Sequence, residues 1–337
     1  MHTDTIINNY SVDLPIRPRR NRKNAAIRSL IQETFLHPQQ LVAPLFVIDG
    51  NQRSEIISSM PGIERLSIDL LVKEVKHLYQ LGIRAIDLFP VIPAEKKDPY
   101  GKEAVNPDNL AARAVKALKQ EIPEMCVIVD IALDPYTSHG HDGVVDEKGQ
   151  ILNDPTLYML GEMSALAAEA GADVVAPSDM MDGRVKYIRQ CLDKAGFTDI
   201  NILSYAAKYA SSFYGPFREA LNSAPKFGDK KSYQMDPSNS REAILEAILD
   251  EAEGADMLLI KPALPYLDII SKIREKTQLP LAAYHVSGEY AMVMAAAEKG
   301  WLNADKVFME SLLSIKRAGA DFILTYAAKR VAQLLKG

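Results

Sequence analysis

The chain has 337 residues, 47% of them hydrophobic and 25% charged, with a formal net charge of -5. This is the composition of a soluble globular protein, and its acidic balance gives no reason to expect nucleic acid or an anionic membrane as partner. No apolar run of about 18 residues occurs, and the first residues lack a basic stretch followed by an apolar core, so neither export nor membrane insertion is expected and the compartment is read as cytoplasmic.

Residues 1 to 35 read as an N-terminal arm outside the main domain, which takes up residues 36 to 337. Pro15 and Pro18 disfavour a helix, and residues 1 to 24 lack apolar periodicity, so the arm is expected to be extended and to end on a neighbouring subunit. Its basic cluster "RPRRNRKN" (17 to 24) has no interleaved aromatic residue, which weakens a nucleic-acid reading.

Beyond the arm, runs rich in Val, Ile and Leu recur, each bounded by Gly, Pro or Asp, and read as buried parallel strands. In chain order they are "LVAPLFVID" (41 to 49), "IRAIDLFPV" (83 to 91), "CVIVDIAL" (126 to 133), "DVVAPS" (173 to 178), "INILSYAA" (200 to 207), "DMLLIKP" (256 to 262), "LPLAAYHVS" (279 to 287) and "DFILTYA" (321 to 327). Between them lie amphipathic segments with helix punctuation. Asp154 with Pro155 opens one that closes at Gly171, and Asn239 with Glu242 opens another that closes at Gly254. A phrase recurs at strand entries, "EAGADVV", "EGADMLL" and "RAGADFIL", with "QLGIRAIDL" as a looser copy; its glycine suits a left-handed turn out of a helix. Eight strands alternating with helices predict an α/β fold, a (β/α)8 TIM barrel, and neither GxGxxG nor GxxxxGK[ST] is present to suggest a doubly wound sheet. Cys126 and Cys191 are too few for a disulfide framework or a cysteine zinc site, and are read as buried free thiols.

A barrel of this kind builds its active site at the C-terminal ends of its strands. The polar residues there are Asp130 and Asp134, Ser178, Tyr205 and Lys208, Lys261, Ser287 and Tyr326. Two lysines on adjacent strands aimed at one mouth are the strongest signal. A second ammonium nearby, or burial, favours the neutral amine, which then forms a Schiff base with a ketone or aldehyde and acidifies the adjacent carbon. The connection after the fifth strand, about 209 to 236, is long enough to be a lid. On it, Arg218, Lys230 and Lys231 could meet a substrate carboxylate, while Tyr214 and Phe217 could exclude water.

The strings "ILSYAAKYASSFYGPFR", "YQMDPSNSREA", "LLIKPALPYLD", "VSGEYAM" and "APSDMMDGR" resemble the porphobilinogen synthases, also called 5-aminolevulinate dehydratases, and the resemblance runs from about residue 20 to the C-terminus. It implies a lyase that condenses two 5-aminolevulinate molecules to porphobilinogen with loss of two waters, in haem and tetrapyrrole synthesis. By resemblance Lys261 would hold the P-side substrate and Lys208 the A-side one, and Asp130 would transfer protons. Arg218 and Lys230 would bind the A-side carboxylate, and Ser287 and Tyr326 the P-side carboxylate. Ser178, Tyr205, Phe217 and Gln234 complete the expected substrate-binding set.

Zinc-using members carry three cysteines within the stretch matching "DIALDPYTSHGHDG" (130 to 143), where this chain has Ala132, Asp134 and Asp142. Soft ligation of zinc is lost there, so no catalytic zinc is expected, and Asp134 and Asp142 are left either to hold Mg2+ or to act through charge alone. His139 and His141 are expected to orient this loop by hydrogen bonds. Glu242, Glu246 and Asp250 recur every four residues on one helix face, which by itself reads as a solvated surface. By resemblance, however, Glu246 matches the carboxylate of an allosteric Mg2+, placing the chain in the magnesium branch; no organic cofactor is implied. The family's octamers of dimers, with embracing arms, make a homo-octamer the expected assembly. Two rivals stay open: a Schiff-base aldolase acting on phosphorylated sugars, and a catalytically silent barrel.

Overall fold

The computed structural model describes residues 13–336, so residues 1–12 of the expected arm lie outside the described residues. Two compact units are distinguished, divided between Phe35 and Leu36. In the first, a 3-10 turn at Pro18–Arg22 precedes a short helix, Ala25–Leu30. The arm is therefore not free of helix. Proline's fixed φ is tolerated at the first helical position, which Pro18 takes, and the Asn24 side chain caps the second element by accepting from the Ile27 N–H at 2.9 Å.

The second unit is a closed barrel of eight parallel strands: β1 (Leu41–Ile48), β2 (Ala85–Pro90), β3 (Cys126–Ile131), β4 (Val174–Pro177), β5 (Asn201–Lys208), β6 (Met257–Lys261), β7 (Leu281–His285) and β8 (Phe322–Thr325). Each pairs with the next in sequence, and β8 closes on β1 through Leu41↔Ile323 and Val42↔Leu324. The strands are almost wholly buried because the barrel packs side chains on its inside and helices on its outside, which is why they read as continuous apolar runs.

All eight strands fall at the runs named above, trimmed at their ends except that β5 extends to Lys208. The helices Asn153–Glu169 and Arg241–Glu253 lie where predicted, but their N-caps are Leu152 and Ser240, neither of which makes a side-chain cap bond. Two hairpins were not anticipated. Ser54–Ile56 pairs antiparallel with Glu64–Ser67, which itself runs parallel to the upper half of β1 through Phe46↔Arg65 and Val47↔Leu66; Val144–Val145 pairs with Ile151–Leu152. These strands are short, and the first pair is partly polar, so they give no periodic signal.

The recurring Gly-Ala-Asp phrase forms a clasp at the floor of the barrel. Gly171, Gly254 and Gly319 take positive φ to leave their helices. The aspartate two residues on then accepts an N–H from the first or second residue of the preceding strand: Asp173 from Val127 at 2.8 Å, Asp256 from Ile202 at 2.7 Å and Asp321 from Leu281 at 2.8 Å. Strands β3 and β4, β5 and β6, and β7 and β8 are thus tied in pairs. Cys126 and Cys191 are free but only half-buried, which corrects the fully buried placement expected. No helix among the described residues is long and apolar enough to cross a membrane.

Candidate active site

Lys208 ends β5 and Lys261 ends β6, and the two are register partners. In a parallel pair, partners present their side chains to the same side, so both amines face the barrel mouth. This facing depends on an irregularity. Leu258 pairs with Ser204 but Ile260 pairs with Ala207, so β5 holds one more residue than β6 over this interval. Strict alternation would turn Lys208 to the outer face with Ser204; the bulge instead lets Tyr205 and Lys208, three apart, both face inward.

The Lys261 Nζ lies among aromatic rings, 4.5 Å from the centroid of Tyr284, 4.8 Å from Phe217, 5.1 Å from Tyr205 and 5.4 Å from Tyr214. Burial in this dry surround, with the Lys208 charge next in weight, brings the Lys261 amine down from 10.5 to about 7, against the opposing pull of Asp130 and Asp87. Asp130 is raised from 3.8 to about 7 by burial, although Lys208 and Lys261 pull it down. Both groups are thus brought into the range where a proton can be exchanged near neutral pH.

Lys208 is held differently, by the Ser178 carbonyl oxygen and by Asp142 Oδ2 at 3.2 Å. Ser178 thus reaches the site through its backbone. Asp142 also accepts from Lys230 at 2.5 Å, and Lys230 lies 3.5 Å from Asp134. Burial pushes the Asp142 carboxyl up, but the two ammonium groups outweigh it and hold it at about 2. The donor set of Asp134 and Asp142 does not suit a divalent ion, because lysine cations already satisfy these carboxylates. Among the described residues no group of three or more His, Cys, Asp and Glu is placed to hold a metal.

The lid is more ordered than a long loop. Capped by Ser211, a 3-10 turn at Ser212–Tyr214 runs into a helix at Gly215–Leu221, and the chain returns so that Met235 bonds back to Lys208 and Ala210. It brings Phe217, Arg218, Lys230 and Gln234 over the strand ends, where they line one pocket with Asp130, Asp134, Ser178, Lys208 and Lys261. The free volume left is about 20 Å³, room for roughly one water. Lys231 is 71% exposed and points away, so it does not join the anion-binding set.

Ser287 and Tyr326 lie outside this pocket's walls. The Ser287 hydroxyl accepts from the Phe217 N–H at 3.1 Å and donates to the Phe213 carbonyl at 3.3 Å, so it holds the lid. The Tyr326 hydroxyl meets that of Tyr284 at 3.0 Å, and its ring stacks on Phe46. His139 and His141 fix their loop as expected: His139 reaches the Pro99 carbonyl at 3.0 Å, and His141 the Phe227 carbonyl at 3.1 Å and the Tyr233 hydroxyl at 3.2 Å.

Asp87 lies within β2 and not at its end, so its position does not mark it as a mouth residue. It is fully buried, accepts from the Tyr205 hydroxyl at 3.1 Å and is pushed well above the carboxylate range by burial and by Asp130. A polar residue inside an otherwise apolar run, "AIDLFP", was the available signal. The stripe of Glu242, Glu246 and Asp250 also needs correction. Asp250 faces inward, 2% exposed, and pairs with Arg184 at 2.9 Å. Glu246 is half-buried, and its carboxyl rises to about 7 through burial, with Arg184 opposing and Asp250, Asp182 and Glu242 adding to the rise.

Comparison with known proteins places this geometry. The profile of the family described as delta-aminolevulinic acid dehydratase matches residues 15–334. A delta-aminolevulinic acid dehydratase of Chlamydia pneumoniae is 54% identical over 325 residues, covering 96% of this chain and 98% of that protein. A chloroplastic delta-aminolevulinic acid dehydratase of Physcomitrium patens is 53% identical over 323 residues, covering 96% of this chain and 74% of that protein. The crystal structure of the Toxoplasma gondii delta-aminolevulinic acid dehydratase (porphobilinogen synthase), in complex with the reaction product porphobilinogen, superposes with a TM-score of 0.95 at 55% identity over 97% of this chain and 94% of that one.

Proposed function

The chain belongs to the delta-aminolevulinic acid dehydratase family, and we propose that Lys261 and Lys208 divide the family's reaction, each holding one 5-aminolevulinate as an imine. That reaction is a lyase step of tetrapyrrole synthesis: two 5-aminolevulinate molecules condense to porphobilinogen and two waters. The observation that carries the division is the pairing of the two lysines across β5 and β6, one of them with an amine at about 7.

The neutral Lys261 amine attacks the keto carbon of the P-side molecule, whose oxygen leaves as the first water; Lys208, paired with Asp142, gives up its proton to the A-side keto oxygen as it attacks, and that oxygen leaves as the second water. The imine acidifies the A-side carbon next to it. That carbon then loses a proton and attacks the P-side imine carbon, and elimination returns Lys261 as a free amine. The P-side amino nitrogen attacks the A-side imine carbon and displaces Lys208, and a final proton loss gives the aromatic pyrrole. Asp130, with a carboxyl at about 7, suits both taking and giving these protons.

Arg218 and Lys230 are assigned to the A-side carboxylate, Ser287 and Tyr326 to the P-side one, and Tyr205, Phe217, Ser178 and Gln234 to shaping the cavity. Because Lys230 is bonded to Asp142 and Ser287 to the lid, substrate entry requires the segment 209–236 to lift and exchange these bonds.

The reading extends to a zinc-independent, magnesium-responsive enzyme. Ala132, Asp134 and Asp142 offer no thiolate, and Glu246 is the residue that would hold a hydrated Mg2+, whose charge would relieve the carboxylates crowding it. The exposed Leu245, Ile248 and Leu249 beside Glu246, and Leu14, Ile16 and Leu30 on the arm, support assembly into a homo-oligomer, with the octamer as the proposed state. Cytoplasmic residence is the proposed location, which cell fractionation would check; the chloroplastic relative shows that the compartment is not a property of this fold.

Treatment with 5-aminolevulinate and borohydride tests the central proposal. Reduced adducts are expected on the peptides containing Lys261 and Lys208, with labelling of Lys261 climbing as pH passes up through about 7. Turnover without an adduct on either peptide would overturn it.

A further inference from the structure

We infer that Arg184, together with Asp250, is a positioning residue that fixes the inward facing of Lys208 by holding the bulge in β5. This rests on the assignment of Lys208 as the A-side Schiff-base lysine and adds what orients it.

Between the pairs Leu258↔Ser204 and Ile260↔Ala207, Tyr205 and Ala206 have no register partner on β6. A bulge of this kind leaves backbone groups out of the ladder, and in a buried strand each such group needs another partner. Arg184 supplies one. It begins the helix Arg184–Lys194 after β4, is 1% exposed, and its Nη2 donates to the Tyr205 carbonyl at 3.2 Å and to the Ser204 hydroxyl at 3.1 Å. The guanidinium is fixed in turn by Asp250, at 2.9 and 3.3 Å, and by the Met181 carbonyl at 3.2 Å. Ser204 closes the network by donating to Asp250 Oδ2 at 2.5 Å.

The fork therefore grips β5 at the first two residues of the irregular stretch, from outside the barrel. Released from it, the strand can recover regular alternation by slipping one residue, and the side chains past the extra residue, Ala207 and Lys208, then change face. Lys208 would turn toward the helices and away from Lys261. Tyr205, next to the outward Ser204, faces inward with or without the bulge and would keep its hydroxyl on Asp87 at 3.1 Å. Lys261, on a strand that Arg184 does not touch, would keep its place.

The test is adduct mapping with 5-aminolevulinate and borohydride on the full-length enzyme, comparing wild type with Arg184→Met and Ser204→Ala. Arg184→Met is expected to lower labelling of Lys208 relative to Lys261 by on the order of tenfold or more, since misplacing a reacting group by about 1 Å already has effects of this size. Ser204→Ala keeps the guanidinium and removes one of its anchors, so a smaller selective loss at Lys208 is expected; it also serves where Arg184→Met does not fold. Arg184→Lys, which retains charge but not the fork, should not restore the wild-type ratio. Equal loss at both lysines, or an unchanged ratio in Ser204→Ala and in whichever Arg184 variants fold, would overturn the inference. Absence of a Lys208 adduct from the wild type would instead overturn the assignment on which it rests.

Discussion

Lys261 shows what a neutral amine costs a fold. Its folded value of about 7 lies below the 10.5 of an unfolded lysine, so between these two pH values the unfolded chain binds more protons and stability rises with pH. At pH 7 and below the penalty is largest, with an upper bound of about 5 kcal/mol at roughly 1.4 kcal/mol per unit, before relaxation and water entry reduce it. Lys261→Met is therefore expected to be inactive yet more stable, by about 1 to 3 kcal/mol at pH 7, with the gain fading as pH approaches 10. Denaturant melts at several pH values would check this; a variant less stable than wild type at pH 7 would contradict the desolvation account. Both lysines were legible in the sequence because each is a lone cation ending an apolar run. Asp87 and Tyr284 were not, since they lie within their runs, and neither was the bulge, because register is a relation between strands that no single segment records.

The lid depends on two close approaches. A Cβ on Gly288 would stand 2.5 Å from the Phe213 carbonyl oxygen, and one on Gly140 would stand 2.6 Å from that of Ala224, so backbone touches backbone on both sides of the mouth. Gly288→Ala is expected to lift the lid at Phe213, breaking the Ser287 bonds and exposing Lys261 to water. We expect kcat/KM to fall about tenfold or more with a small change in melting temperature, and faster proteolytic cleavage near the exposed Lys226 and Lys231. Unchanged cleavage and turnover would show that the lid accommodates a methyl group. The chain announced this element only by its length. Its helix is seven residues, Gly215–Leu221, too short for a periodic pattern, whereas the eight strands and the long helices declared themselves through run length and bounding residues.

At the scale of the molecule, assembly and metal response are expected to be linked through the helix Arg241–Glu253, which carries Glu246 among exposed apolar residues. EDTA should lower turnover and the mass seen by light scattering, and added Mg2+ should restore both in the wild type. Glu246→Ala should respond in neither; a full Mg2+ response from this variant would move the site elsewhere. The basic arm and the acidic main chain were legible, but the partner surfaces were not, because exposed leucines in a helix pattern look alike whether they face solvent or a neighbour.

The floor clasps bear on the chemistry at the far end. The one centred on Asp256 joins β5 to β6, the two strands that end in Lys208 and Lys261. Asp256→Ala should cost about 1 kcal/mol of stability, the size of one lost hydrogen bond, and Asp321→Ala at least as much because its carboxylate also pairs with Arg274 at 3.1 Å, but only the former is expected to slow turnover, as steady-state rates on the two purified variants would show. The spacing of the reactive nitrogens then depends on a bracket a whole strand length away as well as on the groups around the mouth, so a change made at the floor is felt at the chemistry.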